Sequence, residues 1–237
     1  MIDFNNYLNK PIQLTVSGNK IFSGVLIDKG SDIIVIFDGK DFFYLPILHI
    51  QTISTTVHEA EHLLMNQLTD TVFKVPNDLP LVELTDSLSL RKVLMTAKGL
   101  FVELFTTSTQ TLHGYITHVM NDYFTFYSPV YQTLYIPLQH LKYLVPYDTE
   151  QTPYSLGKES LPLQPTQVKA ARTFEEQLKK FIGHIVIFDL GQDYKRVGKL
   201  VQIHDKQIEL VIARDETVYL NLQHVKTVHC PSYQLSN

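Results

Sequence analysis

Residues 58–62 of the chain read His-Glu-Ala-Glu-His and match the zinc motif HExxH. On a helix, His58 and His62 would lie one turn apart on the same face and bind Zn²⁺, and Glu59 would act as the general base. The surrounding segment is polar, is followed by prolines, and offers Glu83 as the one plausible third ligand nearby. We therefore expect a solvated helical turn in a linker, and a zinc-dependent hydrolase is the least favoured function.

Three other histidines occupy the same place in a ten-residue segment that the chain repeats. The copies are YLPILHIQTI at 44–53, YIPLQHLKYL at 135–144 and YLNLQHVKTV at 219–228. Each copy begins with a tyrosine (Tyr44, Tyr135, Tyr219), has a histidine at its sixth position (His49, His140, His224), and follows a glycine by 20 or 21 residues (Gly24, Gly114, Gly198). This regular spacing predicts one small module used three times.

The repeated residues have two possible roles, a structural one and a shared binding surface. Neutral imidazole can hydrogen-bond backbone groups at a turn between strands, so we favour a structural role for the histidines. A glycine inside a strand marks a bend or a bulge, which favours the same role for the three glycines.

Each module reads as five short strands preceded by a helix, which is weak in the first copy. We predict a mainly all-β protein of three tandem Sm-like five-stranded antiparallel barrels. The first module covers residues 1–57, and a linker at 58–85 leads to the second at 86–147. Residues 148–165 form another linker, and the third module covers 166–233. In the third module, Thr173 and Glu176 have the spacing of a helix capping box, whereas Asp86 or Ser87 would cap the helix of the second.

The composition limits the class of partner. The net charge is −4 with a pI near 6.2, and 20 basic residues are scattered among 24 acidic ones, so nucleic acid is an unlikely partner. Cys230 is the one cysteine, which excludes an intrachain disulfide and a cysteine-based metal cluster. We expect no cofactor. The first residues lack a secretory signal pattern and no run of 18 apolar residues occurs, so we expect an intracellular protein without a membrane partner.

The closing segments QHLKYLVP at 139–146 and QHVKTVHCP at 223–231 are similar to the last strands of the bacterial Sm-like protein Hfq. The residue before the histidine is Leu48, Gln139 or Gln223, where that family has an RNA-contacting lysine. The resemblance therefore implies the fold without the RNA contact. A single-stranded RNA-binding protein remains the main alternative function. The bases of the bound RNA would stack on three tyrosines that we expect to be exposed: Tyr123, Tyr127 and Tyr131.

A second resemblance covers nearly the whole chain. The segments HIQTI at 49–53, HLKYL at 140–144 and HVKTV at 224–228 resemble the motif that closes each of three modules in the N-terminal region of the Bacillus spore outer-coat protein CotB. The Gly-Gly-Pro-Glu turn and the Ser/Lys/Arg-rich tail of that protein are absent, so we expect a shorter relative. The resemblance implies a non-enzymatic spore coat component, made in the mother-cell cytoplasm, that associates with itself and with other coat proteins.

Such modules have unpaired strand edges that favour association. Three modules could pair edge to edge within one chain and leave one free edge at each end. A monomer, a six-module ring of two chains and a head-to-tail polymer all remain possible.

Overall fold

The computed structural model describes residues 3–55, 80–81, 87–106, 110–148, 151–156 and 170–231. The described residues form fifteen strands in one antiparallel sheet. The strands are β1 (Pro11–Val16), β2 (Lys20–Lys29), β3 (Ile33–Phe37), β4 (Phe42–Pro46), β5 (Ile50–Ser54), β6 (Phe101–Phe105), β7 (Thr111–Val119), β8 (Tyr123–Ser128), β9 (Gln132–Pro137), β10 (Tyr143–Pro146), β11 (Ile185–Phe188), β12 (Val197–His204), β13 (Gln207–Ile212), β14 (Thr217–Asn221) and β15 (Val228–His229). The prediction of a mainly all-β protein is confirmed.

The fifteen strands fall into three groups with the same internal order. In each group the fifth strand pairs with the first, and the second, third and fourth follow in sequence. The first strand alternates inward and outward residues, with Ile12, Leu14 and Val16 buried in the first group. The pairing between groups joins them into one sheet, whose two outermost strands are β14 and β5. The module limits predicted above stay a prediction.

The second strand of each group bends at an equivalent place. Its pairing with the third strand shifts register just after Leu26, Ile116 and Leu200, each two residues after a repeated glycine. Such a bulge increases the local bend and twist of the strand. The repeated glycines therefore lie at the point where each group curves around its core.

Helices precede the second and third groups. Helix α1 (Leu90–Thr96) is capped by Ser89, whose side chain accepts from the N–H of Lys92, so the predicted cap at Asp86 or Ser87 is wrong. Helix α2 (Phe174–Lys179) begins with the predicted capping box of Thr173 and Glu176. The first group is preceded by a short 3₁₀ helix, Phe4–Tyr7, in place of an α-helix.

The cores do not follow the module limits. One buried cluster combines Ile33, Val35 and Tyr44 of the first group with Val93 and Leu94 of α1 and further residues of the second group. Another combines Tyr123 and Tyr135 of the second group with the core of the third. Each core is completed by a neighbouring module, so the groups depend on one another for burial of apolar surface.

The two predicted linkers are described only in part. Pro80 and Leu81 belong to the first, and Leu81 is buried against the core. In the second, Pro153–Ser155 form a short 3₁₀ helix. The HExxH segment at 58–62 and Glu83 lie outside the described residues, so the metal prediction on His58 and His62 stays a prediction.

Candidate interface between modules

The repeated tyrosines lie at the two places where one module pairs with the next. Tyr44 on β4 pairs with Leu144 on β10, and Tyr135 on β9 pairs with Val228 on β15. In both cases the first position of one ten-residue copy meets the last position of the following copy. The fourth strand of a module thus pairs with the fifth strand of its successor, in the same register at both junctions.

Burial of the tyrosines follows from these junctions. Tyr44 is fully buried, and its hydroxyl accepts a hydrogen bond of 3.2 Å from the N–H of Leu81. Burial raises the pKa of Tyr44 well above its usual value, so it stays a neutral phenol. Tyr135 is 1% exposed and packs edge to face on Phe181, with ring centroids 5.2 Å apart. Each tyrosine is covered by the module that follows it.

A second repeated contact joins an aspartate to the helix of the next module. The Oδ1 atom of Asp32 accepts a hydrogen bond of 2.8 Å from the N–H of Leu90 at the start of α1. The Oδ1 atom of Asp122 accepts an equal bond from the N–H of Phe174 at the start of α2. A carboxylate at this end satisfies a free N–H and interacts favourably with the helix dipole.

A backbone bond beside each aspartate repeats the same arrangement. The N–H of Ser31 donates to the carbonyl of Leu88, and the N–H of Asn121 donates to the carbonyl of Arg172, both at 3.1 Å. The two junctions therefore share strand register, carboxylate contact and backbone contact. The role of these aspartates was not predicted from the sequence, although their equal places in the repeat were a signal for it.

The repeated histidines end short 3₁₀ helices at Ile47–His49, Leu138–His140 and Leu222–His224, which we call the histidine turns. The Nε2 atom of His140 donates to the carbonyl of Gln223 in the next histidine turn, at 2.9 Å. The Nδ1 atom of His49 lies 3.3 Å from the Oγ atom of Ser17, and its Nε2 atom is buried. The structure thus brings consecutive histidine turns together.

Burial controls the protonation of the two junction histidines. It lowers the pKa of His49, where the charge on Lys142 acts in the same direction and the backbone of Gln139 opposes it. It also lowers the pKa of His140, against the opposing effect of the Gln223 backbone. The neutral ring is favoured at both junctions, which suits a role in hydrogen bonding rather than charge.

A cluster around Tyr143 adds polar contacts at the first junction. Lys20 donates to the hydroxyl of Tyr143 at 2.7 Å, and that hydroxyl donates to Glu103 at 2.9 Å. The Lys20 ammonium lies 4.4 Å from the ring centroids of Tyr143 and Phe105. Lys142 donates to the backbone carbonyl of Ser17. Both lysines are held by protein groups, and burial lowers the pKa of each.

The third copy of the repeat lies at one end of the sheet. Tyr219 is on β14 and is 63% exposed, in contrast to Tyr44 and Tyr135. His224 is exposed as well. At the position that corresponds to Asp32 and Asp122, the third module has the exposed Lys206. The surface that is covered in the first two modules is open in the third.

Several predicted site residues lie where they cannot bind a partner. Tyr123 is fully buried and donates to the carbonyl of Ala171, and Tyr127 is 8% exposed, so the prediction that they are exposed for base stacking is wrong. Tyr123 faces the following module, which the sequence of one module does not reveal, whereas Tyr127 packs on Tyr115 and donates to Gln132 within its own module. Tyr131 is half-buried and donates to Gln110.

The repeated glycines all lie against a backbone carbonyl of the neighbouring strand. A Cβ atom at Gly114 would lie 1.9 Å from the carbonyl oxygen of Tyr127. The equivalent distances are 2.5 Å at Gly24 and 2.7 Å at Gly198. Each glycine therefore allows a close approach of two strands that a larger residue would prevent.

Within the described ranges, no group of three or more His, Cys, Asp or Glu side chains is placed to hold a metal ion. The search for membrane spans found no helix among these residues with the length and apolar character to cross a bilayer.

Fold and junctions together define a class of protein: a tandem array of three β modules joined edge to edge into one sheet. A family model described as the YwrJ third domain matches residues 173–228. The chain is also 41% identical over 232 residues to "Uncharacterized protein YwrJ" of Bacillus subtilis (strain 168), which covers 98% of this chain and 100% of that protein. The chain belongs to the YwrJ family.

Proposed function

We propose that this protein is a non-enzymatic structural component of a spore coat, which associates with itself and with other coat proteins. The observation that carries the proposal is the repeated junction. The same contact between modules is made twice within the chain, and the third copy of its surface is exposed at Tyr219, His224 and Lys206. Two surfaces that already bind each other within the chain are suited to bind each other between chains.

The assignment to a coat rests on the resemblance to CotB, whose three modules close on the same kind of motif. We further propose that each module is a strongly bent Sm-like barrel. The strand order, with the fifth strand beside the first, and the bulge after each repeated glycine both support this geometry.

The contacts of the basic and aromatic residues favour assembly over RNA binding. Lys20 and Lys142 are engaged with protein groups at the first junction, and Tyr123 is fully buried. Single-stranded RNA binding needs a positively charged groove with exposed aromatic rings. Protein association needs only the strand edges and side chains that the third module exposes.

Two measurements test the proposal. The mass of the purified 27.3 kDa chain is followed by light scattering across a hundredfold range of concentration, where we expect a mass of several chains at the upper end. A fluorescent fusion made during sporulation of a host that carries the gene should form a shell around the developing spore. A monomer at every concentration would overturn self-association, and a diffuse signal in the mother cell would overturn the coat assignment.

A further inference from the structure

Lys206 is the structural equivalent of the two aspartates that hold the internal junctions. In each module the backbone carbonyl of this residue accepts a hydrogen bond from the first residue after the fourth strand. The bonds run from the N–H of Ile47 to Asp32 at 2.8 Å, from Leu138 to Asp122 at 2.9 Å and from Leu222 to Lys206 at 2.8 Å. The third module therefore presents a positive charge at the place where the other two present a negative one.

The opposite end of the sheet carries the complementary change. The helices that meet Asp32 and Asp122 are capped by Ser89 and Thr173, which are neutral. The 3₁₀ helix of the first module is capped instead by Asp3, an exposed residue whose Oδ1 atom accepts from the N–H of Asn5 at 3.1 Å. A second carboxylate beside Asp3 would be repelled, whereas a lysine would be attracted.

We propose that the β14 end of one copy binds the β5 end of a second copy, with Lys206 of the first facing Asp3 of the second. This inference rests on the proposed function and names its partner surface. The contact continues the two internal junctions, because β14 and β5 are the fourth strand of the last module and the fifth strand of the first. Within the described part of the chain they are the outermost strands of the sheet.

The internal junctions also fix the register of this contact. By the pairs of Tyr44 with Leu144 and Tyr135 with Val228, Tyr219 of one copy pairs with Ile53 of the other. By the bond from His140 to Gln223, His224 of one copy donates to the carbonyl of Leu48 in the other. Tyr219, 63% exposed, and Leu48, 74% exposed, are then brought to one interface.

The β14 surface is more polar than its internal equivalents. Gln207 and Glu209 take the places of the buried Ile33 and Val35, as their pairing with Asn221 and Tyr219 shows. In the free chain this surface faces water, where polar side chains are well solvated. The two polar residues therefore suit a contact between separate chains. They also make it weaker and more reversible than the junctions within the chain.

Charge reversal tests the contact directly. The variants Lys206→Glu, Asp3→Lys and the combination of both are compared by sedimentation velocity at the concentration where the natural chain is half assembled. We expect each single reversal to weaken association by about fivefold or more, because it replaces an attraction by a repulsion. The combined variant should regain association. Lys199→Glu, which makes the same change of net charge at an exposed site on β12, is the matched control and should associate normally.

A cross-link provides a second measurement that does not depend on charge. The variant Tyr219→Cys with Ile53→Cys should form disulfide-linked chains on oxidation. Tyr219→Cys with Val130→Cys should not, because the exposed Val130 lies between β8 and β9, which are interior strands of the sheet. The native Cys230 is buried.

The outcomes separate this inference from the proposed function. A natural chain that stays monomeric at every concentration overturns self-association itself. Normal assembly of both single variants, together with no cross-link at 219 and 53, overturns this contact and leaves assembly through another surface. Weakening by the single variants without recovery in the combined variant overturns the pairing of Lys206 with Asp3.

Discussion

Asp122 lies in the turn between β7 and β8, and its carboxylate accepts the N–H of Phe174 in the next module. We expect Asp122→Ala to lower the free energy of unfolding by about 1–2 kcal/mol, because the helix loses a charged acceptor at its first turn. Urea unfolding followed by circular dichroism measures this change.

Lys206→Ala is the matched control for this prediction, since Lys206 occupies the equivalent place and is exposed. At a concentration where the chain is monomeric, we expect a change within about 0.5 kcal/mol. Equal losses for the two variants would show that the aspartate acts within its own turn and contributes nothing across the junction.

The two junction aspartates show what a sequence can and cannot indicate at the scale of a residue. Their positions beside a strand predict a turn, where aspartate is common. Their carboxylates instead bond to helices about 50 or 60 residues further along the chain, at Leu90 and Phe174. Such a contact depends on how two modules are placed, which the local pattern does not contain. The exchange to lysine at 206 becomes informative only when the copies are aligned.

The bend in the second strand of each module depends on its repeated glycine. A methyl group at Gly114, Gly24 or Gly198 would lie 1.9, 2.5 or 2.7 Å from a backbone carbonyl oxygen. We expect each change to alanine to be destabilising, with losses on the order of 1–3 kcal/mol and the largest at Gly114, because backbone has to move to relieve the clash. Thermal unfolding of the three variants gives the ranking. Equal losses, or the largest loss at Gly198, would show that clearance does not control stability here.

The strands and helices were easier to predict from the sequence than the contacts between them. The alternation of apolar and polar residues indicated the strands, and the spacing of Thr173 and Glu176 indicated α2 and its capping box. The burial of Tyr123 was not predicted, because the cover for this side chain comes from the next module, through the chain around Ala171. The burial of Tyr127 was also not predicted, although its partners, Tyr115 on β7 and Gln132 on β9, belong to its own module.

At the scale of the whole molecule, edge pairing within the chain followed from the repeat, since unpaired strand edges favour pairing with another copy. The repeat did not predict that the cores are shared. Tyr135 belongs to the second module but packs on Phe181, and Val93 of α1 lies in one cluster with Tyr44 of the first. A module separated from its successor would expose these side chains to water.

Shared cores predict that the chain unfolds as one unit. Phe181 is fully buried at the second junction, and we expect Phe181→Ala to cost about 3–5 kcal/mol. Because Phe181 completes a cluster that includes Tyr123 and Tyr135, the loss should lower amide-exchange protection in β8 and β9 as well as in the third module. Ile182→Ala, at the adjacent exposed position, is the control and should change little.

Calorimetry of the natural chain should show one transition with equal van't Hoff and calorimetric enthalpies. Separate transitions, or lost protection confined to residues 170–231, would mean that the three modules fold independently and that the shared clusters contribute little to stability.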